Sequence, residues 1–277
     1  MKEKSFPEYA AQICADPTEQ ISRYRADGRN VMGYTCTYVP EEILYAAGFI
    51  PVRMLGRSQN VQQVDKYFQT YCCSQVRSLM EDSLNQVYEG LDGVIFAHTC
   101  DSMQSFYDIF KKNNPDLFVR NVNFPSRVDS DIAYRYALAE TRRFMAAIEE
   151  FSGEPLKKDA LEESINLYNR NRELLDSLYN LHLRHPDRIP GRVLLHAVLA
   201  SMYSDKTEIN AMLSAYLSGF GDDEEEETGR KRLMLIGSID INDAIYDLAD
   251  EFGATIADDD MCTGRRYFST MVTEPTV

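Results

Sequence analysis

No stretch of this 277-residue sequence approaches the ~18 consecutive apolar residues that a membrane span requires, so no segment is expected to cross a bilayer. The N-terminus, MKEKSFPEYAAQICADP, lacks an apolar run followed by a small-residue cleavage site. That argues against a secretory signal and makes the cytoplasm the expected location. Basic residues are in the minority, with 29 Lys and Arg against 44 Asp and Glu and a formal net charge of −15. Such a field repels phosphates and anionic headgroups, so neither nucleic acid nor a membrane surface is an expected partner. Part of the excess is one run, Asp222 to Glu227 (DDEEEE), which reads as a solvated linker. Neither GxxxxGK[ST] nor GxGxxG occurs, so this chain is expected to bind no nucleotide of its own. Repeats at solenoid spacing are also missing. Six cysteines in a chain this long, without a signal, do not make a disulfide framework. What is present, 44% hydrophobic and 26% charged residues, is the composition of a globular protein. The length suits one large domain or two modest ones at ~100 to 200 residues each.

Period and punctuation divide the chain. Phe6 to Asp27 is expected to be helical with a break near Asp16-Pro17. Alternating α/β structure follows from Asn30: an extended VMGYTC, a helix opened by Pro40-Glu41-Glu42 and closed at Gly48, and a strand from Phe49 to Leu55. Pro just inside the start and Gly just past the end is the expected helix asymmetry. Cys72-Cys73-Ser74 precedes a helix with Val76, Leu79, Met80, Leu84 and Val87 at helical spacing. LDGVIFAHTC reads as a buried parallel strand. Asp101-Ser102 caps the next helix, and DLFVRNVNFP supplies a strand ending at Pro125. Residues 30–130 thus form a βαβαβ unit, 131–220 a helical connector, and 231–277 a strand, a helix and a strand that begin a second such unit. Residues 1–29 are a helical segment and 221–230 the acidic linker. Two strands alone cannot bury both faces of a parallel sheet, so the last segment is expected to lean on other structure.

The cysteines carry the question of function. Cys36, Cys72, Cys73, Cys100 and Cys262 all fall at the end of an expected strand or the start of an expected helix, whereas Cys14 lies inside a helix. Loops beyond the carboxyl ends of strands share one edge of an open α/β sheet, where ligands bind. A helix N-terminus also favours an anion such as thiolate. The plainer alternative is that free cysteines act as small buried hydrophobes. Zinc is poorly served, because only Cys72 and Cys73 are neighbours and paired C-x-x-C spacing is missing. A thiol nucleophile at Cys100 would need a base, and His98 lies two residues away on the same strand face. An iron–sulfur cluster, which accepts three or four thiolates from separate loops, fits the count and placement best.

GYTCTYVPEEILYAAGFIPVR (Gly33 to Arg53), then CCSQVRS, DGVIFAHTCDSM and ADDDMCTGRRYF resemble the motifs of the 2-hydroxyacyl-CoA dehydratase and benzoyl-CoA reductase family, which includes the double-cubane cluster proteins. The likeness runs from about residue 30 to 268 with motif order preserved. It implies an α/β protein with a Rossmann-like parallel-sheet N-terminal domain, a helical connector and a second Rossmann-like lobe, incomplete here. It further implies an oxygen-sensitive iron–sulfur enzyme, a dehydratase or a reductase. An ATP-dependent activator protein with its own cluster would supply electrons, and a second subunit, identical or different, would complete a dimer. In such enzymes one low-potential electron on an acyl-CoA thioester makes a weakly acidic β-proton removable.

Residue by residue, Cys73 and Cys100 match positions of cluster ligands, with Cys36 and Cys72 as further ligands if the cofactor is an 8Fe-9S double cubane rather than a single 4Fe-4S cluster. Cys262 matches a family motif as an iron ligand or a cleft residue. Glu41 and Glu42 are candidate proton-handling groups, or ordinary helix N-terminal acids. Arg265 and Arg266 are candidate contacts to an acyl-CoA phosphate, or exposed surface charges. Family members usually continue into a longer second lobe with a further cluster cysteine, so completion of the site by additional chain or a partner is expected. The competing expectation is a non-catalytic electron-relay or assembly subunit of the same fold.

Overall fold

The computed structural model describes residues 4–221 and 229–273. The acidic run Asp222 to Glu227 lies outside the described residues. Two N-terminal helices, α1 (Phe6–Ala15) and α2 (Thr18–Ala26), part at the expected place. Asp16 is extended (φ −142°, ψ 90°), because a following proline disfavours helical backbone. Contacts divide the chain into two compact units, Thr18–Ser164 and the described parts of Met1–Pro17 with Ile165–Val277.

The unit Thr18–Ser164 is built on β1 (Asn30–Tyr34), α3 (Glu41–Ala46), β2 (Phe49–Arg53), a 3₁₀ turn (Val64–Lys66), α4 (Ser74–Leu84), β3 (Gly93–Ala97), α5 (Asp101–Asn113), β4 (Phe118–Val122) and α6 (Asp131–Ser152). All four strands are parallel, in the order β2-β1-β3-β4. This is the expected Rossmann-like α/β class. Val31, Met32, Ile50, Val52, Val94 and Phe96 are buried in its core, as near-continuous apolar strands covered on both faces require. The first crossover moves the chain from β1 outward to β2 and the next carries it back past β1 to β3. The strand order therefore reverses between β1 and β3, the switch point where open α/β sheets bind ligands. Several boundaries differ from expectation, β1 ending at Tyr34 rather than Cys36 and β2 at Arg53 rather than Leu55. α4 stops at Leu84, and Val87 lies beyond a turn in which Gln86 has φ 59°, so the apolar spacing outlasts the helix. β4 ends at Val122 rather than Pro125.

Acids on α4 order the long connection from β2. Asp82 accepts hydrogen bonds from the Arg57 N–H (2.8 Å), the Ser58 N–H (3.1 Å) and the Ser58 hydroxyl, and Glu81 accepts from the Gln63 and Val64 N–H groups at 2.9 and 3.0 Å. A Cβ at Gly56 would stand 2.6 Å from the Leu79 nitrogen, so only glycine lets this chain pass so close to α4. Asp82→Ala would leave two loop amides without their charged acceptor. It is expected to cost about 3 kcal/mol in urea unfolding, and Asp82→Asn, which keeps one carbonyl oxygen, about half that.

The other unit packs α1 against α8 (Gly191–Tyr203), preceded by α7 (Lys158–Arg184), which continues across the division at Ser164, and followed by α9 (Lys206–Leu217). Its two-stranded parallel sheet consists of β5 (Lys231–Ile236) and β6 (Ala254–Asp260), with α10 (Ala244–Glu251) between them and α11 (Arg265–Phe268) after. β6 is largely buried, while Leu233, Met234 and Ile236 of β5 are exposed.

His196 on α8 stands 3.3 Å from Asp243. Burial lowers its pKa below the usual histidine value, with Asp243 opposing. The unfolded chain therefore takes up the proton more readily, so His196 favours the fold above pH ~6.5 and that contribution is lost as acid titrates it. Urea midpoints measured between pH 7.5 and pH 5.5 are expected to fall more steeply for the native chain than for His196→Gln.

Candidate cluster and substrate site

Helices that follow parallel strands run back against them, so their N-termini sit at the carboxyl edge of the sheet. Cys73 is the N-cap of α4 and Cys100 the N-cap of α5, and neither side chain makes a capping hydrogen bond. Both are exposed free thiols. Cys36 lies two residues past β1 and is half-buried, as is Cys72, and both are free. Cys36 and Cys100 thus follow the two strands that flank the switch point, and α4, which begins after Cys73, packs against α5. Exposure of Cys73 and Cys100 removes the reading in which they serve only as core hydrophobes. Among the described residues, no three His, Cys, Asp or Glu side chains gather closely enough to hold a single metal ion. A cluster takes its thiolates on separate irons, and Cys36, Cys72, Cys73 and Cys100 are the thiols at this edge that could supply them. The donor set fits an iron–sulfur cluster.

A cavity of about 710 Å³ lies at the ends of β3 and β4, lined by Tyr38, His98, Thr99, Phe124, Pro125 and Tyr134, with Ala97, Val122, Ser126, Val128, Ala133 and Ala137. Its size and mainly apolar lining with a few polar groups are those of a small-molecule site. His98 is exposed at its wall, its backbone N–H donating to Val122. The start of α6, read from the sequence only as the opening of a connector, supplies one side of this cavity. Ser130 caps that helix by accepting from the Ala133 N–H at 3.2 Å.

Glu41 and Glu42 occupy the first turn of α3 and are buried, and the Glu42 carbonyl accepts from the Ser164 hydroxyl at 2.9 Å. Arg53, the last residue of β2, is only 1% exposed. It pairs in register with Tyr34, whose ring lies 5.4 Å from its guanidinium carbon. Its Nε and Nη1 have no hydrogen-bond partner among the described residues. Sequence reading passed over Arg53 as the end of a motif. The available signal was a charge closing the otherwise apolar strand FIPVR at the ligand edge.

In the second unit, Arg266 forms a two-pronged pair with Asp260, with Nη2 to Oδ2 at 2.7 Å, and its Nη1 donates to the Cys262 sulfur at 3.9 Å. Arg265 pairs with Asp258 at 2.6 Å and Asp176 at 3.0 Å and lies over the Tyr179 ring. Both guanidiniums are engaged by carboxylates of their own unit and hold the turn that carries Cys262, a free and half-buried thiol.

Over 212 residues the chain is 30% identical to a benzoyl-CoA reductase subunit of Thauera aromatica, covering 76% of this chain and 55% of that protein. It is 22% identical over 263 residues to the (R)-phenyllactyl-CoA dehydratase beta subunit of Clostridium sporogenes, covering 95% and 70% of the two chains. It is 27% identical over 270 residues to the beta subunit of (R)-2-hydroxyglutaryl-CoA dehydratase of Acidaminococcus fermentans, covering 93% and 69%. The chain therefore spans little more than half the length of the first relative. Each relative is one part of a dehydratase or reductase. The family described as 2-hydroxyglutaryl-CoA dehydratase, D-component, matches residues 36–277, and the chain belongs to it.

Proposed function

We propose that this chain is the cluster-bearing subunit of a radical 2-hydroxyacyl-CoA dehydratase or a related ATP-dependent acyl-CoA reductase, fed by a separate activator protein and paired with a second subunit. The observation that carries this reading is the placement of Cys36 and Cys100 on either side of the sheet's switch point, with Cys73 presented from a neighbouring helix N-terminus. Those three thiols, with Cys72 as a fourth, would hold the cluster. When bound it supplies low-potential electrons for the acyl thioester. The acyl group enters the cavity beside Cys100, where apolar side chains exclude water and Tyr38 and Tyr134 orient it. His98, at the cavity wall, exchanges the proton that the reaction moves, and the buried Glu41 and Glu42 in the first turn of α3 relay it.

The test is iron and acid-labile sulfide after strictly anaerobic purification, with an EPR spectrum before and after dithionite. About four irons per chain mark a single cubane and about eight a double one. A chain that takes up no iron on reconstitution refutes the reading. Substrate-dependent turnover with the activator then separates an enzyme from an electron relay, which would accept electrons without converting any acyl-CoA.

A further inference from the structure

A guanidinium sealed from water with open N–H groups and no carboxylate beside it is costly unless an anion meets it. Arg53 is in that state: it is 1% exposed, its Nε and Nη1 lack any hydrogen-bond partner and no ion pair to it occurs among the described residues, and its guanidinium carbon lies 5.4 Å from the Tyr34 ring. It stands at the carboxyl end of β2, in register with Tyr34 at the end of β1, and Cys36 follows two residues later. Neighbouring strands lie ~4.8 Å apart, so the Arg53 backbone is one strand from the strand that leads to Cys36. The cavity occupant is not what meets it, because Arg53 is absent from that lining. The anion that fits is one assembled on the thiols, since thiolate ligation leaves an iron–sulfur cluster negatively charged.

We propose that Arg53 is the buried cation that receives the cluster, donating hydrogen bonds from Nε and Nη1 to its sulfur atoms and raising its reduction potential. The inference rests on the cluster reading above and adds a residue outside the thiol set. A positive charge favours the more negative, reduced state, so its removal makes reduction harder. Before the cluster arrives the same charge is a burden on the fold.

The test compares the full chain with Arg53→Gln and Arg53→Lys after anaerobic reconstitution, by iron content, EPR-monitored potentiometry, and thermal melting with and without iron. Arg53→Gln is expected to be at least as stable as the native chain without iron and less stable with it. Its midpoint potential is expected to fall at least tenfold in equilibrium terms, about 59 mV for one electron, and Arg53→Lys to recover most of that. A folded Arg53→Gln that takes up no iron, with uptake rescued by Arg53→Lys, supports the same role. A full iron load with an unmoved potential overturns the inference while leaving the cluster reading standing. Equal loss of stability with and without iron, or failure to fold, marks Arg53 as a structural residue and also overturns it. A native chain without iron removes both.

Discussion

Cys73→Ser and Cys100→Ser are each expected to weaken cluster retention by at least ~100-fold, since even removal of an outer partner of a metal ligand costs ~10 to 100-fold. The low-temperature EPR signal should vanish and substrate turnover fall to background. The apo fold should scarcely notice: both thiols are exposed and neither caps its helix through its side chain, and exposed substitutions of this kind stay within ~0.5 kcal/mol. Serine is in fact a better N-cap than cysteine, so a small gain in apo stability is the expected sign. Cys14→Ser is the matched control. Cys14 lies in α1 and its thiol donates to the His196 carbonyl at 3.6 Å, so iron content should not change. Equal iron in Cys73→Ser, Cys100→Ser and the native chain would mean that these helix starts present thiols to something other than a cluster.

That the cysteines sit at strand ends and helix starts was legible because the punctuation around them is strong. Pro40-Glu41-Glu42 opens α3, Gly48 follows it, and LDGVIFAHTC can be little but a buried strand. The strand order, and with it the pairing of Cys36 and Cys100 across a switch point, was not legible. Periodicity reports which face of an element is buried and is silent about which strand lies beside which. The same limit hid Arg53, Glu81 and Asp82. Each is a charged residue whose burial is decided by partners distant in sequence: the loop amides of Arg57, Ser58, Gln63 and Val64 for the two acids, and the Tyr34 ring for the arginine. The cavity wall from α6 was missed for a related reason, because a long amphipathic helix gives no sign that its first turn borders a site. β5 shows the converse. Its apolar residues mark a strand, yet Leu233, Met234 and Ile236 are exposed while β6 is buried against α8, α10 and α11, a distinction the alternation of side chains cannot make for a two-stranded sheet.

Gly264→Ala is expected to be the most damaging single-methyl change in the chain. A Cβ there would lie 1.9 Å from Oδ1 of Asp259, far inside contact distance, and that carboxylate cannot step aside. It is 2% exposed and accepts hydrogen bonds from the Tyr179 hydroxyl at 2.6 Å, the Arg265 N–H at 2.8 Å and the Met261 N–H at 3.1 Å. Burial raises its pKa, and these hydrogen bonds pull the other way, so displacing it leaves a carboxylate in an apolar setting without what stabilises its charge. Overpacking costs ~1 to 3 kcal/mol and buried donors without an acceptor ~1 to 3 kcal/mol more, so a loss of about 4 kcal/mol in urea unfolding is expected. Because the turn carries Cys262, that thiol should also react faster with alkylating reagents. Asp259→Ala is costly by itself, since it strands the buried Tyr179 hydroxyl, but it removes the atom that the new methyl would strike. The double variant should therefore fall well short of the sum of the two singles. Strict additivity would rule out the collision with Asp259 as the source of the cost of Gly264→Ala, because two residues in direct contact couple their effects.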